Sequence, residues 1–208
     1  MSATTPGSAD ALDQTATSIL DAARAAVLDF GVRRVTLSDI ASRAGVSRMT
    51  VYNRFGDLES LLRTLVSREF VSRIEWIARE RESRHGRERL VSLLVRAARQ
   101  LPANPLLRKV RASEPELLAP YVLHRLGATQ QTALEVISRA VADGQRDGSI
   151  RAGNVEAIAA AALLIAQSFV FSAAAIETAP RDELLRELEL ALEGLLSPKT
   201  GGTPLQTA

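Results

Sequence analysis

Read for the spacing of apolar and polar positions, the chain is helical almost throughout. Apolar residues return every three or four places, and nowhere do they alternate singly for long enough to make a strand. In the first segment Ile19, Ala22, Ala23, Ala26, Val27 and Phe30 share one helical face and Gly31 follows as a stop, which predicts a helix over 13–30. A second helix is expected over 37–44, with Thr36 as N-cap and Asp39 at its third position. Ser47 opens a third over 48–55, closed by Gly56, and Asp57 opens a much longer fourth reaching about Glu82.

The charged stretch "ARERESRHGRER" that follows reads as a solvated connector. Beyond it the pattern predicts a helix over 90–101, a short piece between Pro105 and Ala112, and a longer helix over 116–143. The glycine-containing "DGQRDGSIRAGN" is a loop. An apolar helix, "VEAIAAAALLIAQSFVFSAAAIE", comes next, and after Pro180 an amphipathic one carries Leu184, Leu185, Leu188, Leu192 and Leu195 on one stripe. The expected fold class is therefore all-α. The two ends, 1–12 and 197–208, are polar and read as disordered tails.

Composition narrows the chemistry. With no cysteine and only two histidines, His85 and His124, in 208 residues, a disulfide scaffold, a Cys-based zinc site and a thiol nucleophile are excluded. There is no GxSxG, HExxH or P-loop pattern, so no catalytic residue, metal ligand or cofactor is assigned and an enzyme is not expected. The start "MSATTPGSADALDQ" lacks the basic and apolar regions of a secretory signal, which makes the cytoplasm the expected location. Formal net charge is only +2, but it is unevenly spread. Between Gly31 and Arg54 five arginines (33, 34, 43, 48 and 54) stand against the single acid Asp39, and this local excess suggests an anionic partner.

The short helix pair explains what that partner is. In "LSDIASRAGVSRMTVYNRF" Ala41 lets two helices cross closely, and Gly45 can take the positive φ that ends the first. Ile40, Val46 and Val51 supply apolar contacts that set the crossing angle. This is a helix-turn-helix arrangement, whose second helix is presented to the major groove of double-stranded DNA. Arg48, Met49, Thr50, Tyr52 and Asn53 lie at or near the N-terminal half of that helix. Arg and Asn can pair with guanine and adenine edges, and Thr or Met can meet a thymine methyl. The hydroxyls of Thr36 and Tyr52 suit phosphate oxygens. With Ser47 and Arg54 these residues form the candidate DNA-binding set.

The segment 36–62 resembles the DNA-binding domain of TetR-family transcriptional regulators. The residues carrying the resemblance are Thr36, Ile40, Ala41, Ala44, Gly45, Val46, Ser47, Thr50, Val51, Tyr52, Phe55 and Leu61, with Ile19, Ala22, Ala23 and "FG" at 30–31 before them. Two positions depart from the family pattern: Arg54 stands where His is frequent, and Leu58 where Lys is frequent. Arg54 can still donate to phosphate, whereas Leu58 cannot. The resemblance implies an N-terminal helix-turn-helix domain over 13–56 and a C-terminal helical effector-binding and dimerisation domain over 57–196. It further implies a repressor, released from a palindromic operator by a small-molecule effector.

The resemblance places an effector pocket among the middle helices, for which Trp76, Tyr121, His124 and Phe169 are the candidates. With aromatics at only 4%, a lipophilic effector is expected. The last two helices, one rich in alanine and one striped with leucine, suit a four-helix contact between two copies. Ile165, Phe169, Leu184, Leu188, Leu192 and Leu195 are the candidate homodimer residues. From Ala157 to Ile176 the only polar residues are Gln167, Ser168 and Ser172, which is long enough for a bilayer span. Alanine contributes little to insertion, however, and an acidic helix follows directly, so the segment is read as a buried helix with no membrane partner. The rival to the DNA-binding reading is a helical small-molecule-binding or membrane-associated protein that does not touch DNA.

Overall fold

A computed structural model describes residues 7–79, 85–118 and 128–198, and among them it holds nine α-helices and no strand. In chain order these are α1 (Gly7–Phe30), α2 (Leu37–Ala44), α3 (Arg48–Phe55), α4 (Leu58–Arg79), α5 (Gly86–Gln100), α6 (Pro105–Ser113), α7 (Ala128–Arg146), α8 (Val155–Ser172) and α9 (Arg181–Leu196). Single 3₁₀ turns occupy Val32–Arg34, Pro115–Leu117 and Ala173–Ala175.

The described residues divide into two compact units, within Met1–Phe70 and Ala103–Arg125 for the first and within Val71–Pro102 and Leu126–Ala208 for the second. Helix α4 contributes residues to both.

In the first unit α1 packs against α2, α2 against α3, and α6 against α1. Its core is made by Ile19, Ala23 and Val27 of α1, Ile40 and Ala41 of α2, Val51 of α3, and Leu61 and Leu65 of α4. Helix α6 closes this core with Leu106, Leu107 and Val110. Asn104 caps it, accepting hydrogen bonds from the Leu106 and Leu107 amides at 2.9 and 3.2 Å, and Pro105 follows at the position where a missing N–H costs nothing. Polar bonds add to the seat: Lys109 donates to the Leu28 carbonyl, and Arg33 pairs with Glu114 at 2.9 Å.

In the second unit α5 packs against α7, α8 and α9, and α8 against α7 and α9. Leu90, Val91, Leu94 and Ala98 face Ile137 and Val141, Ile158 and Ala162, and Leu188, Leu192 and Leu196. The first turn of α5 passes so near α7 that a side chain on Gly86 would lie 2.7 Å from the Gly144 Cα, so this position needs glycine, whereas a side chain on Gly144 would run into the Ile150 side chain. Asp147 locks this crossing. Its carboxylate accepts from the Gly86 amide at 3.0 Å and from the Ser149 amide at 2.9 Å, and its pKa is held down at about 2 by the Ser149 side-chain hydroxyl first and then by these two amides.

Several boundaries differ from those read from spacing. Helix α1 begins at Gly7 rather than Asp13, because Ala9, Ala11 and Leu12 are good helix formers and no breaker falls between them and Asp13. Helix α5 begins at Gly86, inside the charged stretch expected to be a connector, because Asp147 and Ser149 take the amides of Gly86 and Arg87. Pro115–Leu117 is a 3₁₀ turn and not the start of a longer helix, and α7 continues to Arg146. Phe30 is exposed, with the Arg43 guanidinium 4.9 Å from its ring. The expected end of the fourth helix at Glu82 lies outside the described residues.

Candidate nucleic-acid interface and cavity

Local chemistry cuts α2 and α3 to two turns each. Thr36 Oγ1 accepts from the Asp39 amide at 3.2 Å while Asp39 Oδ2 accepts from the Thr36 amide at 3.0 Å, a reciprocal cap that satisfies two helix-start donors. The Thr36 hydroxyl donates to the same carboxylate at 2.6 Å. These bonds, the side-chain one first, hold the Asp39 carboxyl below the usual carboxylate range. At the other end Gly45 takes the left-handed conformation (φ 67°, ψ 29°), and the Val46 amide reaches back to the Ala41 carbonyl at 3.0 Å. One residue later Ser47 caps α3, its hydroxyl accepting from the Thr50 amide at 3.0 Å and meeting the Thr50 hydroxyl at 2.8 Å.

Within α3 a single residue, Val51, is buried, and it is fully so. Pinned by that side chain, the helix turns its other faces outward. Met49 is 63% and Tyr52 57% exposed, Arg48 and Asn53 are exposed, and Thr50 and Arg54 are half-buried. One buried anchor with large exposed side chains around it leaves this face of α3 open to another molecule. The hydroxyls of Thr36, Ser47 and Thr50 are engaged in caps, so any phosphate contact must share them.

The basic excess of this region is partly neutralised from outside it. Arg33 pairs with Glu114 and Arg43 with Asp29, at 2.9 and 2.8 Å, whereas Arg34 and Arg48 are exposed. Asp57 opens α4 by accepting from the Ser60 amide at 2.7 Å, and that bond leads in holding its carboxyl below the ordinary value. Leu58, at the first position of α4, is half-buried.

The second unit contains a half-open cavity of about 380 Å³ between α5 and α7. Arg89, Arg96, Arg139 and Asp143 supply its polar groups, and Leu90, Leu93 and Val136 are among its apolar ones. Of the pocket candidates, the two among the described residues, Trp76 and Phe169, do not line it. Trp76 is exposed, with the Arg73 guanidinium 4.3 Å from its ring, and Phe169 is half-buried on α8. Tyr121 and His124 lie outside the described residues. The cavity was visible in the sequence only as charges interrupting apolar faces, Arg89 and Arg96 two turns apart and Arg139 and Asp143 one turn apart.

The last two helices also sort their side chains differently from expectation. Leu188 and Leu192, expected at a contact between copies, are 0% exposed and belong to the core of their own unit. Ile165, Phe169, Leu184 and Leu195 are half-buried, and Leu164 and Leu190 are each 64% exposed. The apolar segment Val155–Ala175, mean hydropathy 2.0, is long enough to cross a bilayer, and only 28% of its most apolar window is buried. The expectation of a buried helix therefore holds only for the face carrying Ile158, Ala159, Ala162, Ala166 and Val170.

Two capped, two-turn helices joined at Gly45, in a fold that is helical throughout the described residues, form a helix-turn-helix. Residues 19–65 match the bacterial regulatory proteins of the tetR family. Over 179 residues the chain is 37% identical to the uncharacterized HTH-type transcriptional regulator Mb2274c of Mycobacterium bovis, an alignment covering 86% of this chain and 92% of that protein. The chain belongs to the TetR family. Solved structures share the fold at low identity. The transcriptional repressor QsdR of R. erythropolis superposes with a TM-score of 0.68 at 17% identity, covering 92% of this chain and 99% of its own. RolR, in complex with resorcinol, gives 0.67 at 15%, covering 92% and 91%.

Proposed function

We propose that this TetR-family regulator is a cytoplasmic homodimeric repressor, held on a palindromic operator through α3 and released by a small, largely lipophilic effector. The observation that carries the reading is the pinning of α3: Val51 is fully buried while Arg48, Met49, Tyr52 and Asn53 face solvent. Arg48, Met49, Thr50 and Asn53 read base edges, and Thr36, Ser47, Tyr52 and Arg54 hold phosphates. Residues 13–56 act as the DNA-binding domain and 57–196 as the effector-binding and dimerisation domain. The protein works by binding and carries out no catalysis.

The uncovered apolar surface of α8 and α9, with Leu164 and Leu190 at its most exposed points, supports a second copy as the covering partner. Two-fold symmetry sets the two recognition helices about 34–36 Å apart, or a multiple of that, to match successive major grooves. RolR is a structure of this fold with resorcinol bound, which supports a small-molecule site in the helical region. The effector acts by population shift. It binds more tightly to the dimer whose recognition helices are wrongly spaced, so operator affinity falls by that difference in affinity.

Selection from a random DNA pool with the purified protein, followed by titration at several salt concentrations, tests this reading. A palindromic consensus with log affinity falling steeply against log salt is the expected result. Weak binding without a consensus, in buffer and in cell extract alike, would return the chain to the ligand-binding rival.

A further inference from the structure

The cavity between α5 and α7 combines two chemistries. Leu90, Leu93 and Val136 give it an apolar lining, and among the described residues Arg89, Arg96 and Arg139 give it three guanidinium groups against one acid, Asp143. Asp143 pairs with Arg89 at 3.8 Å and also bonds Arg146, which does not line the cavity, so it offsets at most one of the three charges; Arg96 Nη2 donates to the Ile77 carbonyl at 3.4 Å, a neutral acceptor. Arg139 meets its own helix neighbour Glu135 at 3.6 Å, a loose and largely exposed pair. Arg89 and Arg96 sit two turns apart on α5 and Arg139 enters from α7, so the positive groups converge from two helices.

We propose that this cavity binds a small amphipathic organic anion. Its carboxylate is held by the guanidinium forks of Arg96, Arg89 and Arg139, and its apolar body lies on Leu90, Leu93 and Val136. Guanidinium matches carboxylate with two parallel N–H···O bonds, a geometry that an alcohol cannot reproduce and that an ammonium opposes. The volume of about 380 Å³ lies within the range of small-molecule sites. This inference rests on the reading that the helical region takes a small effector, and it names that effector's chemical class: lipophilic in body and anionic at one end.

Calorimetric titration of the full chain with octanoate, 1-octanol and octylamine tests the assignment. Octanoate is expected to saturate at one molecule per chain, 1-octanol to bind at least tenfold more weakly, and octylamine not to bind. Arg96→Gln and Arg139→Gln should each weaken octanoate severalfold while leaving the thermal melt of Arg139→Gln unchanged, since that side chain is exposed. Absence of saturable octanoate binding, equal binding of 1-octanol, or octanoate binding unaltered in both variants would overturn the proposal. Operator release is measured separately. A molecule that releases DNA equally from both variants leaves the effector reading standing and overturns the anion site. Arginine-dependent octanoate binding without DNA release supports the anion site and defeats the release mechanism.

Discussion

Arg24 and Glu69 meet as a fork. Arg24 Nε lies 3.0 Å from Glu69 Oε2, and its Nη2 lies 3.3 Å from Oε1. Asn104 Nδ2 donates to the same carboxylate at 2.7 Å, so one α4 side chain ties α1 to the residue that caps α6. Burial pushes the Glu69 carboxyl up, but the bonds from Arg24 and Asn104, together with the charges of Arg24 and Arg68, outweigh it and hold it below the ordinary glutamate value.

Glu69→Ala leaves two donors of this junction without their acceptor. It is expected to lower the unfolding free energy by about 2 kcal/mol, measured by urea titration. The contribution has a pH sign. Because the folded pKa is depressed, the stabilisation is complete above the unfolded glutamate value and fades as pH falls through the folded one. A variant as stable as the parent at pH 7 would show that the junction is dispensable.

Gly45→Ala probes the turn alone. A Cβ at this position meets nothing within 4 Å, so the substitution adds no clash and its cost is that of the left-handed backbone, about 1–2 kcal/mol. Gly45→Asn should cost less, since Asn tolerates that conformation. Equal melting temperatures for the parent and Gly45→Ala would mean that the turn relaxes out of the positive-φ region.

On the selected operator, Arg48→Ala should weaken binding by about 1–3 kcal/mol and relax the preference at one base pair. Tyr52→Phe should weaken all sequences alike and leave the dimer intact. Equal loss on random and selected DNA would reassign Arg48 to phosphate, and unchanged affinity would remove that role from Tyr52.

The double variant Leu164→Glu, Leu190→Glu places charge on the two most exposed leucines of α8 and α9 without touching the buried Leu188 and Leu192. Sedimentation equilibrium is expected to show a folded monomer where the parent is a dimer. A dimer of undiminished strength would move the contact to another surface.

The bonds of Asp147 make a contribution to the second unit that depends on its charge. Its folded pKa of about 2 lies below the ordinary value of 3.8, so its stabilisation is complete above the unfolded value and is lost as pH falls from there towards about 2. The parent should therefore lose thermal stability through that window, and Asp147→Asn should be less stable at pH 7 and flatter on acidification. Parallel melting curves for the two from pH 7 to 2 would show that the Gly86–Asp147 bond contributes nothing.

What the sequence determined by itself is the helix-turn-helix and its edges. Thr36 with Asp39, Gly45 with Ala41, and Ser47 with Thr50 are caps whose partners lie three or four residues away, so their chemistry is complete within the local chain. The helical period also identified Ile19, Ala23 and Val27 as core, and the helix-turn-helix pattern added Ile40 and Val51. Tertiary structure decided whatever depends on a distant neighbour. The Gly86 amide finds Asp147, so α5 begins inside a charged stretch. The leucine stripe of α9 is consumed by its own unit at Leu188 and Leu192, leaving Leu190 outside, because α5 and α8 cover one face only. The arginines of the cavity converge from two helices whose registers no local spacing sets. Local hydrogen bonds can be read along the chain, but burial depends on which remote surface comes to rest against a face, and that is a property of the packed molecule.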